Sequence, residues 1–218
     1  MSPRPYQLGR RQAEIDEGRC RILDAARALL ADASSYSAFT IDAVAKRADV
    51  ARATVYYQFG SKTGLLEAVC DDLAASGQMA DMAEVFTTPE ATEALHLLVA
   101  VFARFWDADR VVMRRLRALA ALDPDVSSVI AARDDRRRQA LTVILERLAG
   151  RPEQARAEAG EMLVASLLAL TSFETFDTLA GAERALTDIV ATVTGLVDAA
   201  VAANLEPPAP NPRNSRHL

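Results

Sequence analysis

Four side chains within one short stretch have the chemistry needed to contact nucleic acid. Arg52 supplies a guanidinium, Thr54 a hydroxyl, and Tyr56 and Tyr57 two phenols. These groups donate to phosphate oxygens and to the edges of bases in the grooves of a duplex. If Val55 faces the core, a helix over this stretch leaves the four groups at exposed positions. The stretch therefore predicts a contact surface for duplex DNA.

Two short helices joined by a tight turn are predicted to position this surface. Thr40 offers an N-cap hydroxyl to a helix that begins at Ile41 and ends near Ala48. After a turn over 48–50, a second helix is predicted over 51–57. The small Ala45 and the apolar Val55 suit the crossing of the two helices and the attachment of the second helix to a core.

The flanking sequence completes a three-helix unit. A first helix is predicted from about Glu14 to Ala33, with its apolar residues at helical spacing. Gly60 can end the contact helix in a left-handed conformation, and Ser61 can cap the next helix. This arrangement is typical of a helix-turn-helix, which presents its third helix to the major groove.

The segment 40–66, TIDAVAKRADVARATVYYQFGSKTGLL, closely resembles the signature of the TetR (tetracycline-repressor-like) family. Together with RILDAA at 21–26, the resemblance covers about residues 18–70. It implies a DNA-binding dimer with a variable helical C-terminal domain. By this resemblance Thr40, Tyr56 and Lys62 contact phosphates, whereas Arg52, Thr54 and Tyr57 lie on the base-contacting helix.

Three residues depart from the family pattern. Asp49 stands in the turn where the family usually has Gly, and Asp accepts a positive φ better than most residues. Ala51 replaces the usual capping Ser, which removes a contribution of ~1 kcal/mol and a hydroxyl that could contact phosphate. Gln58 stands where His is common. These departures leave the predicted fold intact and bear on the strength of DNA binding.

Two of the predicted contacts have alternative interpretations. Tyr56 could be a core aromatic or could combine packing with a phosphate contact. Lys62 could be an ordinary solvated lysine, but a cation in the first turn of a helix opposes the helix dipole and favours an anionic partner. Phosphate is the partner that we expect.

Charge is distributed unevenly along the 218 residues, whose net charge is −5. Residues 1–62 hold ten Lys or Arg and seven Asp or Glu, whereas residues 63–218 hold 15 and 23. Because attraction to phosphate is local and screened beyond roughly 10 Å, an acidic protein can bind DNA through one basic region. The asymmetry favours the N-terminal region for this role.

Helical periodicity continues through the remaining chain and predicts an all-α fold. Helices are expected over about 89–106, 110–122, 124–148, 152–179 and 182–204. The predicted division is an N-terminal arm and DNA-binding domain at 1–62, a helical ligand-binding and dimerisation domain at 63–205, and a disordered, proline-rich tail at 206–218. The longest uncharged apolar run has 12 residues, so no membrane span is expected.

The last two predicted helices are unusually apolar, which predicts a homodimer that covers them through a four-helix bundle. Val193 and Val197 are candidate positions in that interface. The aromatic and methionine content of the C-terminal part also suits a pocket for a small apolar or aromatic effector, although ordinary core packing is the alternative for each residue. The candidate pocket residues are Phe86, His96, Phe102, Phe105, Trp106, Met113, Phe173 and Phe176.

Signals for catalysis, metals and cofactors are almost absent from the sequence. One histidine, His217, lies in the predicted tail, and the other, His96, has neither a nearby cysteine nor a paired histidine. Two cysteines without short spacing fit a reducing, cytoplasmic environment and predict no metal clip. We therefore expect no enzyme, no cofactor and no metal.

These observations predict a ligand-responsive transcriptional regulator, with repression as the expected effect, that binds a palindromic operator as a dimer. One alternative is a DNA-binding regulator without a small-molecule effector. Another is a helical protein that binds small molecules and whose DNA binding has weakened, as Asp49 and Ala51 would allow.

Overall fold

The computed structural model describes residues 4–32, 39–149 and 158–205, and all regular structure in these ranges is helical. The predicted all-α class is confirmed. The predicted tail at 206–218 lies outside the described residues. The helices are α1 (Arg4–Ala31), α2 (Ile41–Arg47), α3 (Arg52–Phe59), α4 (Lys62–Ser76), α5 (Met82–Thr87), α6 (Ala91–Ala108), α7 (Arg110–Ala120), α8 (Pro124–Ala149), α9 (Glu158–Leu170), α10 (Phe173–Ala180) and α11 (Val190–Leu205), with short 3-10 segments at Met79–Asp81 and Leu186–Ile189.

Three predicted boundaries are wrong. Helix α1 begins ten residues before the expected Glu14; Pro5 lies in its first turn, where proline is tolerated. The helix expected over 152–179 is broken into α9 and α10, which meet at an angle of 48°. The helix expected over 182–204 starts as the 3-10 segment and becomes α-helical only at Val190.

The break between α9 and α10 follows from a local competition for hydrogen bonds. The Ser172 hydroxyl accepts from the Thr175 amide at 3.2 Å and so caps α10. The fully buried Thr171 carbonyl is satisfied instead by the Trp106 indole at 3.2 Å and by the Arg137 guanidinium at 3.0 Å. Because buried carbonyl groups need partners, these two side chains stabilise the break.

The chain divides into two compact units, and each is built from separate stretches of sequence. The first comprises Met1–Gln78 and Ala108–Arg133, and the second comprises Met79–Asp107 and Asp134–Leu218. The first unit thus contains α1–α4, α7 and the start of α8. The predicted functional boundary after Lys62 is not tested by this packing and stays a prediction.

Ion pairs join the helices of the first unit. Arg27 of α1 donates to Asp72 of α4 at 2.7 Å and to Asp109, which caps α7, at 2.9 Å. Arg133 of α8 pairs with Asp71 of α4 at 2.7 Å. The two carboxylates raise the pKa of Arg27, and the hydrogen bond that Arg27 donates to Asp109 is the largest cause. Helix α4 is therefore held on two sides by charged contacts as well as by its apolar face.

In the second unit, Leu186–Leu205 is long and apolar enough to cross a membrane, and 22% of its most apolar stretch is buried. The bent pair Gly160–Leu170 and Phe173–Ala180, taken together, is also long and apolar enough. Asp188 and Asp198 lie in the first segment, and carboxylates are costly in hydrocarbon. The absence of a membrane span stays a prediction.

Candidate nucleic-acid interface

Helix α2 begins as the sequence predicted. Thr40 has an extended backbone, and its hydroxyl oxygen accepts from the Ala43 amide at 3.2 Å. Val44 and Ala45 are buried, with Ala45 at the face where α2 packs near α3. Thr40 itself is exposed, so its hydroxyl hydrogen remains directed to solvent and is available to an anion.

The turn between α2 and α3 contains a backbone conformation that usually favours glycine. Asp49 has a φ of 53°, in the left-handed region. The expectation that an aspartate can serve in this turn is confirmed, since Asp is among the few side chains that tolerate this region. The turn is closed by a hydrogen bond from the Val50 amide to the Ala45 carbonyl at 3.0 Å.

Helix α3 begins without a side-chain cap. Ala51 occupies the N-cap position with φ −67° and ψ 145°, a conformation that serine adopts readily, but no side chain accepts from the first turn. The Thr54 amide bonds to the Ala51 carbonyl at 2.9 Å, as the helix requires. The first amides of α3 are therefore available to an external acceptor such as a phosphate.

The outer face of α3 carries the predicted contact residues. Val55 is fully buried and is the one buried residue of this helix. Tyr57 is 80% exposed and Tyr56 is 40% exposed, so Tyr56 is not a purely core residue. Arg52 is exposed and Thr54 is half-buried at the edge of this face. Exposed phenol groups on a helix that is attached to the core can contact the surface of a partner.

Arg52 is held by two neighbours on this face. Its Nη1 donates to Asp42 Oδ2 at 3.2 Å, and its Nη2 donates to the Tyr56 hydroxyl at 3.2 Å. The hydrogen bond with Tyr56, and then the charge of Asp42, raise the pKa of Arg52. Sequence analysis missed Asp42, although an acidic residue in the first turn of α2, close to the start of α3, was visible in the sequence.

The end of α3 is fixed against α4 and α1. A β-carbon at Gly64 would lie 2.1 Å from the Phe59 carbonyl oxygen, so only glycine permits this approach. The Arg19 guanidinium lies over the Phe59 ring at 4.5 Å. Gln58 donates to the Ile15 carbonyl at 3.4 Å. Sequence analysis gave no role to Arg19 or Gly64.

Lys62 has an intramolecular anionic partner. Its ammonium donates to Asp123, which precedes α8, and both side chains are about one quarter exposed. The hydrogen bond from Lys62 lowers the pKa of Asp123. An ammonium has three donors, so the pair with Asp123 leaves donors for a second anion. The sequence predicted an anionic partner for Lys62 but did not anticipate a carboxylate 61 residues away.

The eight candidate pocket residues are not brought together as one set. Phe102, Phe105, Trp106 and Phe173 form one buried cluster in the second unit, with ring centroids between 4.5 and 6.3 Å apart. Phe176 is also fully buried in that unit. Phe86 is 48% exposed, and His96 pairs at 2.7 Å with Asp198 of α11. Met113 belongs to the first unit.

The buried cluster includes one charged residue, Arg137. Arg137 lies 5.4 Å from the Phe102 ring and 5.5 Å from the Trp106 ring, and it pairs with Asp134 at 3.2 Å. Arg136, Arg137 and Arg138 follow Asp134 and Asp135 on one helix, a pattern that predicts a solvated, self-paired face. The pair with Asp134 is present, but Arg137 is buried. Within the described ranges, no three His, Cys, Asp or Glu side chains are grouped to hold a metal ion.

Comparison with known proteins confirms the resemblance at the N-terminus. Residues 22–69 match the family described as bacterial regulatory proteins, tetR family. This range contains α2, α3 and the residues of the first turn of α4, including all the side chains assigned above to DNA contact. No curated protein matches the chain.

Two solved structures show the same fold. One is a transcriptional regulator from Rhodococcus sp. Rha1, with a TM-score of 0.58 and 21% identity, over 87% of this chain and 99% of that one. The other is the fatty acid degradation regulator FadR from Bacillus halodurans, with a TM-score of 0.54 and 19% identity, over 81% and 96% of the two chains. Both are named as regulators, and at these identities the likeness shows the fold. The family match at residues 22–69 is what supports a DNA-binding transcriptional regulator.

The missing cap of α3 leads to a testable change. Ala51→Ser should raise the free energy of unfolding by ~1 kcal/mol, because the new hydroxyl can accept from a first-turn amide. For a chain of this size the thermal midpoint should rise by about 2–4 °C, as measured by circular dichroism. Ala132→Ser is the matched control: it adds the same hydroxyl at an exposed position inside α8, where serine lowers stability slightly. Equal midpoint changes in the two variants would contradict the capping argument.

Proposed function

Because this chain carries the N-terminal domain of the tetR family of bacterial regulatory proteins at residues 22–69, we propose that it is a repressor that binds a palindromic operator as a homodimer and releases it when a small ligand binds. The observation that carries the proposal is the exposed face of α3. It presents Arg52 and Tyr57 to solvent while Val55 anchors the helix from beneath. A helix of this kind enters the major groove.

The proposed contacts divide by chemistry. Thr40, Tyr56 and Lys62 would contact phosphates, and the free amides at the start of α3 add a fourth site for a phosphate oxygen. Arg52, Thr54 and Tyr57 would contact base edges. Phosphate contacts contribute affinity for any sequence, whereas base contacts contribute discrimination, so substitutions in the two groups should differ in their effects.

Lys62 provides the sharpest test of the phosphate contacts. Lys62→Ala should weaken binding similarly for every DNA sequence and reduce the slope of log affinity against log salt by about one for each half-site. Arg52→Ala should also weaken binding, but it should in addition reduce the preference for one base at the position that Arg52 contacts. Affinities are measured by fluorescence anisotropy with a selected operator and with random duplex, each over a series of salt concentrations.

Asp123→Asn is the matched control for Lys62→Ala. Both substitutions remove the same ion pair, but only the second removes the ammonium. Asparagine can still accept the hydrogen bond that Asp123 receives from the Asp125 amide at 3.0 Å. If both variants lose the same affinity, Lys62 acts through the fold and is not a phosphate contact. If wild-type protein shows no salt-dependent binding to duplex DNA, the proposed function is wrong.

The surface of α11 supports the proposed homodimer. Leu196 is 42% exposed, Leu205 is 37% exposed, and Met162 of the adjacent α9 is 66% exposed. Gly195, Ala199 and Ala203 are exposed small residues on α11, and small residues permit close approach of a second helix. Exposed apolar and small residues on such a helix favour an interface with a second helix.

Two interface positions expected from the sequence are corrected by the structure. Val193 and Val197 are fully buried within the chain itself, because this face of α11 packs inward, towards α9. Aspartate at either position would create a buried unpaired charge and unfold the unit instead of testing association. The exposed residues Leu196 and Met162 are the informative positions.

We expect the double substitution Leu196→Glu and Met162→Glu to produce a folded monomer, because two like charges would be brought into each half of the apolar interface. Sedimentation velocity at micromolar concentration measures the change, and circular dichroism reports whether the helices persist. Leu122→Glu is the control, since Leu122 is 82% exposed and belongs to the first unit. A wild-type monomer, or a dimer that survives the double substitution, would exclude this interface.

A small apolar or aromatic effector is the remaining part of the proposal. The cluster of Phe102, Phe105, Trp106 and Phe173 supports it, because these rings lie beside the break between α9 and α10, where the backbone is held by side chains. A ligand that separates the rings would disturb the two hydrogen bonds to the Thr171 carbonyl. Such a ligand can change DNA affinity only if it binds one conformation better than the other.

Trp106 is the one tryptophan of the chain, so its fluorescence reports directly on this cluster. We expect a long-chain fatty acid or a planar aromatic hydrocarbon to change the emission in a saturable way. A ligand that weakens operator binding must itself bind more weakly by the same factor when operator is present, since coupling is reciprocal. Saturable binding that leaves operator affinity unchanged would favour the regulator without an effector. Saturable binding by a protein that does not bind DNA would favour the small-molecule-binding alternative.

A further inference from the structure

A carboxylate lies on the face that is proposed to meet DNA. Asp42, in the first turn of α2, has a 65% exposed side chain, and its partner Arg52 has a 58% exposed side chain. Their ion pair measures 3.2 Å. Because both groups are in solvent, burial does not force them together, and the pair contributes little to the stability of the fold.

The ion pair between Asp42 and Arg52 is unfavourable for affinity to DNA of any sequence. A negative charge at a surface that meets phosphates repels them, and it also neutralises part of the attraction that Arg52 would supply. Asp42 would therefore weaken binding to every DNA sequence. A compensating effect must come from what Asp42 does to the geometry of Arg52.

Asp42 and Tyr56 together fix the direction of the guanidinium. Each accepts from a different terminal nitrogen of Arg52, at 3.2 Å in both cases. A guanidinium has five N–H donors, so three remain for DNA. Arginine without such contacts can rotate to reach either a phosphate or a base, whereas a guanidinium held on two sides presents its remaining donors in fixed directions. Holding a group in its bound conformation reduces the entropy lost on binding.

We propose that Asp42 is a positioning residue that determines specificity: it holds Arg52 towards one base pair and reduces its attraction to phosphates, so that discrimination increases while affinity for random DNA decreases. The chemistry of the remaining donors fits the two acceptors of guanine in the major groove, O6 and N7. This inference rests on the proposed function, because it concerns the contact that Arg52 makes with an operator.

The experiment compares a selected operator, the same operator with each base pair substituted in turn, and random duplex. Asp42→Asn removes the charge and nearly preserves the shape. It should increase affinity for random duplex by up to about tenfold for each half-site at 0.1 M salt and steepen the salt dependence. Affinity for the operator should rise less, so the ratio of operator to random affinity should fall, with the loss concentrated at one base pair.

Asp49→Asn is the matched control. It removes the same charge from another exposed position of the same unit, and asparagine also tolerates the positive φ at this residue. It should change operator and random affinity by the same factor. Each ratio is measured on one protein preparation, so a variant that is partly unfolded still gives a valid ratio.

A double-mutant cycle identifies Arg52 as the route of the effect. In the Arg52→Ala background, Asp42→Asn should raise both affinities equally and leave the ratio unchanged. If Asp42→Asn leaves the ratio unchanged in the wild-type background, or lowers it equally without Arg52, the inference is overturned while operator binding stands. If wild-type protein does not distinguish operator from random duplex, both the inference and the proposed operator function are overturned.

Discussion

The position of α3 depends on very few contacts, because an eight-residue helix with one fully buried side chain cannot be placed by apolar packing alone. Val55 attaches the middle of the helix to the core, and the ends are fixed by backbone geometry. At the start, Asp49 accepts the left-handed conformation that reverses the chain. At the end, Gly64 lets α4 approach the Phe59 carbonyl closely. A helix that enters the major groove must lie at a defined position and orientation. The two backbone positions that place α3 are therefore as important for DNA binding as the side chains that would touch DNA.

Carboxylates partly compensate the cations of the face that is proposed to bind DNA. Two of the cations assigned to DNA contact, Arg52 and Lys62, each have a carboxylate partner in the structure, Asp42 and Asp123. In the proposed complex, DNA would meet a surface whose positive charge is partly neutralised, and phosphates would compete with carboxylates as well as with solvent ions. This competition would reduce binding to arbitrary sequences and leave a larger share of the discrimination to groups that contact bases.

The sequence predicted the parts of the fold that depend on local chemistry. Thr40 and Ser61 are caps as expected, because a capping hydroxyl bonds within three residues of itself. The break at Ser172 was missed, since the same apolar pattern continues on both sides and the break depends on Trp106 and Arg137, which are distant in sequence. The interface positions Val193 and Val197 failed for a similar reason. An apolar helix has two candidate faces, and only the packing of α9 decides which one is turned inward.

The first unit is assembled from Met1–Gln78 and Ala108–Arg133, so it can be completed only after the ribosome has also made the residues between these two stretches. The helix-turn-helix emerges first, at a time when three of its later partners have not yet been synthesised: Asp109 for Arg27, Asp123 for Lys62 and Arg133 for Asp71. During this interval Lys62 lacks its carboxylate, Arg27 has only Asp72 of its two carboxylates, and Asp71 lacks its cation, so the nascent N-terminal segment exposes charges that are paired in the finished unit. The synthesis of α7 and of the start of α8 therefore decides when these charges gain their partners.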